Sequence, residues 1–159
     1  MTQYIFTEQA KQHFHYLIDD YGFSVVDERY EPEAFGNSLI QFRSSAIDIM
    51  VVLDRGQVLI DVSPYPRLSN YQFGLATVVK FLAPEANEPV YIFPETWEDY
   101  DDMIEWQLTR LARMLRQYCA PVLRGEFSDW ETMNECRKKE AEEEYRRLIG
   151  KDPIRVASK

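Results

Sequence analysis

The chain has 159 residues, of which 45% are apolar and 14% aromatic. This is enough for one domain with its own hydrophobic core, and it excludes an intrinsically disordered protein. The formal net charge of −9 argues against nucleic-acid binding, because phosphate backbones are held by clustered Lys and Arg. A basic partner suits this charge better.

The sequence also argues against a membrane partner. No apolar run approaches the roughly 20 residues that are needed to cross a bilayer. The N-terminal residues lack the basic and apolar regions of a secretory signal. We therefore expect a cytoplasmic protein.

The first segment of the chain predicts a helix. Ala10, Phe14 and Leu17 recur at helical spacing within residues 7–20, and such a stripe is typical of a helix with one buried face. Gly22 stands where a left-handed C-terminal cap would lie. The helix is therefore expected to end at about Tyr21.

A β-meander is predicted next, because apolar and polar residues alternate in short runs that are separated by turn residues. Arg55-Gly56 predicts a tight hairpin between the last two runs. The β-prone segments are residues 23–29, 39–43, 47–53 and 58–62.

Two prolines, Pro64 and Pro66, are expected to end the sheet because they remove ladder donors. A second helix follows, with Ser69 or Asn70 as its cap and Pro84 as its stop. Residues 84–94 are predicted to form a loop, in which the apolar run 90–93 is either a short edge strand or a packed loop.

A long helix is predicted over residues 96–119. Thr96 would cap it, with Asp99 three residues later as in a capping box. Its apolar stripe is regular, which is typical of a helix packed lengthwise against a partner element: Ile104, Leu108, Leu111, Leu115 and Tyr118.

The last helix is expected to open at Ser128 and Glu131 and to become almost wholly charged, with a mobile tail over residues 151–159. The fold class that follows is α+β, with an antiparallel meander sheet of three to four strands covered on one face by about four helices. We expect a single domain over residues 1–150.

The best candidate for a functional site is the beginning of the long helix, which we call the acidic helix start. It combines carboxylates and aromatic rings without an intervening Lys or Arg: Glu95, Trp97, Glu98, Asp99, Tyr100, Asp101, Asp102 and Glu105. One interpretation is helix capping and a favourable interaction with the helix dipole. The other is a docking face for a basic protein, in which carboxylates steer the encounter and aromatic rings anchor the contact.

Catalytic, metal and cofactor sites are not predicted. His13 and His15 are two residues apart, so on a helix they point to different faces and do not make a zinc pair. Cys119 and Cys136 are expected to be reduced, buried thiols, which are usually inert. No nucleophile elbow or glycine-rich phosphate loop occurs.

The layout of the first half resembles that of small bacterial immunity proteins of toxin–immunity systems. The resemblance lies in a helix ending in Tyr21-Gly22-Phe23, followed by a meander that includes Asn37-Ser-Leu-Ile-Gln-Phe and Ile49-Met-Val-Val-Leu-Asp-Arg-Gly. It implies stoichiometric protein binding, since such proteins are often acidic and neutralise a toxin by covering its active site.

The sequence therefore favours a non-catalytic binding protein. One alternative is an enzyme with a carboxylate-based site near Glu98 and Asp102, one helical turn apart. Another is a structural homodimer in which the stripe from Ile104 to Tyr118 pairs with its own copy.

Overall fold

The computed structural model describes residues 2–66, 71–93 and 96–150. The chain divides into two compact units, residues 1–127 and residues 128–159. The expectation of a single domain over residues 1–150 stays a prediction, and residues 151–159 lie outside the described part.

The first unit is an α+β structure built on a five-stranded antiparallel sheet. The strands lie side by side in the order of the sequence. They are β1 (Ser24–Glu31), β2 (Asn37–Arg43), β3 (Ile47–Asp54), β4 (Gln57–Pro64) and β5 (Phe73–Gly74). The helical segments of this unit are α1 (Thr2–His13), α2 (His15–Tyr21), α3 (Leu75–Leu82), α4 (Tyr100–Tyr118) and the single turn α5 (Ala120–Leu123).

The predicted α+β class and meander are confirmed, with one strand more than expected. The additional strand β5 pairs Phe73 with Val62 and Gly74 with Asp61. Two residues are too few to show an alternating pattern, so this strand could not be predicted from periodicity.

The core lies between one face of the sheet and the helices. Alternate side chains of the central strands are fully buried: Ile40, Phe42, Ile49, Val51, Val58, Ile60 and Val62. Helix α1 contacts β2, whereas α3 and α4 contact β4. Residues of the opposite face, such as Leu39, Met50 and Leu59, are only half-buried, so the helices cover one face as predicted.

The first predicted helix consists of two segments. Phe14 separates α1 from α2 and is fully buried. The predicted cap at Gly22 is present, with φ of 77°, and the N–H of Phe23 donates to the carbonyl of Leu17 at 2.9 Å. This left-handed termination turns the chain into β1.

The long helix begins at Tyr100, four residues after the predicted cap Thr96. Asp99 is the N-cap, and its carboxylate accepts a hydrogen bond from the Asp102 N–H at 3.1 Å. Asp caps a helix at least as well as Thr, so this competing cap placed the boundary later. The other predicted caps, Ser69 and Asn70, lie outside the described residues, and α3 follows Gly74 directly.

The second unit contains α6 (Trp130–Gly150). Most of its side chains from Glu135 onward are exposed, as its charged composition predicts. The two cysteines differ: Cys119 is buried, as expected, whereas Cys136 is exposed. The prediction of a buried Cys136 was wrong, since it lies on the part of α6 whose side chains face solvent.

Candidate functional site

Two turns meet at one end of the sheet. In a meander, the β1–β2 and β3–β4 turns lie at the same end, and Asn37 connects them here. Its amide Nδ2 donates to Asp54 Oδ1 at 3.2 Å, while its Oδ1 accepts from the N–H of Arg55 at 3.0 Å. The two turns are therefore held together by one side chain.

Helix α4 is fixed against the β3–β4 turn by Gln107, which is only 3% exposed. Its amide donates to the carbonyl of Gly56 at 2.8 Å and accepts from the N–H of Val58 at 2.9 Å. A Cβ added at Gly56 would lie 3.3 Å from Met103 Cε and 3.5 Å from Tyr100 Cε1. The first turns of α4 therefore pack directly on this hairpin, which only a small residue permits.

The segment before α4 is a packed loop, which was one of the two predicted alternatives for residues 90–93. The Tyr91 hydroxyl donates to the carbonyl of Ile60 at 3.0 Å and accepts from its N–H at 3.2 Å. Arg110 donates to the carbonyls of Pro89 and Val90 at 2.6 and 2.9 Å. These bonds anchor the loop to both β4 and α4.

Four large aromatic side chains remain in water at this end of the sheet and on the segment that leads into α4, and we call them the aromatic patch. Phe35 is 71% exposed, Phe93 49%, Tyr100 44% and Trp97 43%. Phe93 and Tyr100 both flank Gly56, and Trp97 packs against Trp106 with ring centroids 6.0 Å apart. Solvent-exposed aromatic rings on a rigid support are typical of binding surfaces.

The two turns at this end of the sheet are strained. Phe35 has φ of 61° and Arg55 has φ of 53°, and these are the non-glycine residues of the described part with positive φ. A bulky residue in the left-handed region costs of order 1–3 kcal/mol and persists where the surroundings or a function require it. Arg55 places its guanidinium 4.6 Å from the centre of the Phe35 ring.

The acidic helix start lies next to the patch, and most of its side chains are in solvent. Trp97, Glu98, Asp99, Tyr100 and Asp102 are exposed, whereas Asp101 and Glu105 are half-buried. Glu95 lies outside the described residues. Partial burial, helped by the Asp101 carboxylate, raises the pKa of the Tyr100 hydroxyl.

Not every carboxylate of this segment is available to a partner. Asp99 is engaged as the helix cap. Glu105 accepts a hydrogen bond from His13 Nε2 at 2.6 Å and thereby links α4 to α1. The capping interpretation therefore accounts for Asp99 and a structural hydrogen bond accounts for Glu105, while exposed Glu98 and Asp102 and half-buried Asp101 remain beside the aromatic patch.

Catalysis and metal binding at the acidic helix start would need surroundings that differ from those observed. General acid–base catalysis needs a carboxylate in a water-excluding cleft, whereas Glu98 and Asp102 are exposed. Within the described residues, no group of three or more His, Cys, Asp or Glu side chains could hold a metal ion. Burial raises the pKa of the Cys119 thiol to about 12, which keeps it protonated and unreactive at neutral pH.

The stripe of the homodimer alternative is largely occupied by the chain itself. Ile104, Leu108, Leu111 and Leu115 are at most 2% exposed, and α4 contacts α1, α3 and β4. Pairing with a second copy through this stripe would require these elements to separate. The homodimer itself stays a prediction.

Sequence reasoning missed Phe35, Tyr30 and Gln107 as parts of this region, and it assigned Arg55 only to a hairpin. Phe35 followed by Gly36 in a turn-rich segment was the available signal, because a large apolar residue beside a turn glycine is seldom needed for the turn itself. Gln107 gave no signal, since a polar residue next to an apolar stripe is usually exposed.

Comparison with known proteins gives no relative. No protein-family model, no curated protein and no solved structure matches the chain. In the part of the chain that the structure describes, no helix combines the length and the apolar character that a membrane span requires.

Proposed function

We propose that this chain is a non-catalytic protein-binding domain that captures a basic partner through the aromatic patch and the neighbouring carboxylates. The observation that carries the proposal is the aromatic patch itself: four exposed rings are presented by a hydrogen-bonded scaffold beside exposed acidic side chains. Interfaces are enriched in such aromatic anchors, and a few of them supply most of the binding energy.

The scaffold supports tight binding because it is formed before the partner arrives. Hydrogen bonds of 2.6 to 3.3 Å from four side chains connect the turns, the loop and α4. These side chains are Asn37, Gln107, Tyr91 and Arg110. A preorganised surface loses little conformational entropy on binding, so more of the contact energy appears as affinity.

The charge favours a basic partner. The chain has a net charge of −9, and Glu98, Asp101 and Asp102 stand beside the patch without a cation from Trp97 to Ile104 to neutralise them. Such carboxylates accelerate the encounter with a positively charged surface, and salt weakens that effect.

Toxin neutralisation is the finer form of this proposal. It is motivated by the resemblance in layout to immunity proteins and by the acidic charge. An immunity protein acts stoichiometrically, so the partner would be a basic protein whose toxic activity ceases when one equivalent of this chain is bound.

The test is affinity capture from the lysate of the host organism, at low and at high salt, with identification of the bound protein. One variant removes three surface carboxylates of the site: Glu98→Gln, Asp101→Asn and Asp102→Asn. Asp99 is retained because it caps α4. The matched control removes the same charge from exposed positions on α6: Glu135→Gln, Glu142→Gln and Glu143→Gln.

We expect the wild type and the control to retain one basic protein in stoichiometric amount at low salt, and the site variant to lose about 1–3 kcal/mol of binding free energy. Equal capture by the site variant and the control would contradict the assignment of the surface. Inhibition of the captured protein's activity at one equivalent would support toxin neutralisation.

A further inference from the structure

The aromatic patch contains a pocket with an unusual lining. A depression of about 460 Å³ lies between Tyr30, Phe35 and Tyr100, with Gly36 and Arg55 completing its lining. Among these lining residues, three are aromatic and Arg55 alone is charged. Aromatic walls of this kind attract cations through the negative faces of the rings.

The guanidinium of Arg55 stacks on the ring of Phe35 in the free protein. Its Cζ lies 4.6 Å from the centre of that ring. Yet the side chain is 70% exposed, and its ion pair with Asp54 is long, at 3.9 Å. An exposed stacking contact and an exposed ion pair are both weak, so a second guanidinium can replace this one without much loss.

The surroundings favour such a replacement by an incoming cation. The Asp54 carboxylate lies 3.9 Å from the Arg55 guanidinium, and Asp101 acts electrostatically on Tyr100. A partner's cation in the place of Arg55 would therefore approach carboxylates from β3 and α4. Guanidinium suits this place better than ammonium, because it is planar, more weakly hydrated and stacks on aromatic faces.

We propose that an arginine side chain of the protein partner binds on the ring of Phe35 in this pocket and displaces Arg55, which occupies the place in the free protein. The inference rests on the proposed function, since it names the residue type by which the basic partner is recognised. Arg55 then acts as an internal competitor that lowers the affinity for the incoming arginine.

The experiment compares two peptides of equal charge, acetylated and amidated tri-arginine and tri-lysine, by NMR titration of the labelled protein. The proteins are the wild type, Arg55→Asn and Phe35→Asn. Asn adopts the left-handed conformation of both positions readily, so both variants retain the turns. The amide signals of Gly36 and Gly56 report binding at the pocket.

We expect tri-arginine to bind the wild type about threefold more tightly than tri-lysine, since equal charge leaves the guanidinium's stacking as the difference. This preference should increase several-fold in Arg55→Asn and disappear in Phe35→Asn. An unchanged or smaller preference in Arg55→Asn, or tri-arginine signals that shift away from Gly36 and Gly56, would overturn the inference.

The two proposals fail separately. Capture of a basic partner that depends on Glu98, Asp101 and Asp102, together with a peptide preference that is indifferent to Phe35, would remove the arginine inference and leave the binding function intact. Equal capture by the carboxylate variant and its control would contradict the proposed binding surface, whatever the peptides show.

Discussion

The two ends of the sheet differ in how they use their polar and aromatic residues. At the end formed by the β2–β3 turn, Ser44 Oγ accepts from the N–H groups of Ala46 and Ile47 at 3.2 and 3.0 Å. Arg43 pairs with Asp48 at 2.6 Å and lies 4.0 Å above the Tyr65 ring. The polar groups at this end therefore bind partners within the same end of the chain.

At the opposite end, hydrogen-bonded side chains lie beneath aromatic rings that are exposed to solvent. Asn37 and Gln107 each donate one and accept one hydrogen bond below it, while Phe35 and Phe93 remain in water, Phe35 with a left-handed backbone. Backbone strain of this kind persists where the surrounding structure holds it, and it clusters at functional sites. The comparison supports the proposal that the second end is used for recognition, and mutations at the two ends can test it separately.

Among the changes that compare the two ends of the sheet, the largest loss of stability is expected at the support below the patch. Gln107→Leu would leave the N–H of Val58 and the carbonyl of Gly56 buried without a partner, at a cost of about 2–4 kcal/mol for two unsatisfied groups. Urea unfolding followed by circular dichroism measures this loss. Gln117→Leu, an exposed position on the same helix, is the control and should change stability by less than about 0.5 kcal/mol.

A loss below about 1 kcal/mol for Gln107→Leu would show that α4 is not held to the hairpin by this side chain. The rigid support beneath the patch, and with it the argument from preorganisation, would then have to be abandoned.

The second effect is expected at the β2–β3 end. Asp48→Ala removes an acceptor whose side chain is 10% exposed and leaves Arg43 without its partner, so we expect a loss of about 1.5–3 kcal/mol. Asp48→Asn retains an acceptor and should lose less. Asp27→Ala, which breaks an exposed pair with Arg29, should stay within about 1 kcal/mol of the wild type. Partner capture by Asp48→Asn should be unchanged, and a reduced capture would erase the distinction between the ends.

More of the fold than of the candidate site could be predicted from the sequence. Alternation in β3 and β4, the Arg55-Gly56 turn and the stripe of α4 are local signals, and each one is recovered in the structure. The site depends on residues that are distant in sequence: Phe35 and Tyr100 share a pocket across 65 positions. No periodicity relates such residues, and Asn37 and Gln107 become important only through partners that folding brings to them.

The smallest expected effect on the free energy of unfolding is no change or an increase, in contrast to the losses above. Phe35→Asn replaces a strained, exposed aromatic residue by one that adopts the left-handed conformation readily, and it removes only an exposed stacking contact with Arg55. We expect stability to stay constant or to rise by up to about 1 kcal/mol, measured by urea unfolding as above. Phe42→Ala, which empties a fully buried site, should instead lose about 3–5 kcal/mol.

Stability and binding must be measured on the same Phe35→Asn protein, because each result alone has two explanations. Reduced capture with reduced stability would mean that Phe35 supports the turn, and the patch would then be a by-product of folding. Reduced capture with equal or greater stability has a different meaning. A side chain that costs stability where it stands, and without which the partner is lost, is retained for the contact it makes outside its own chain.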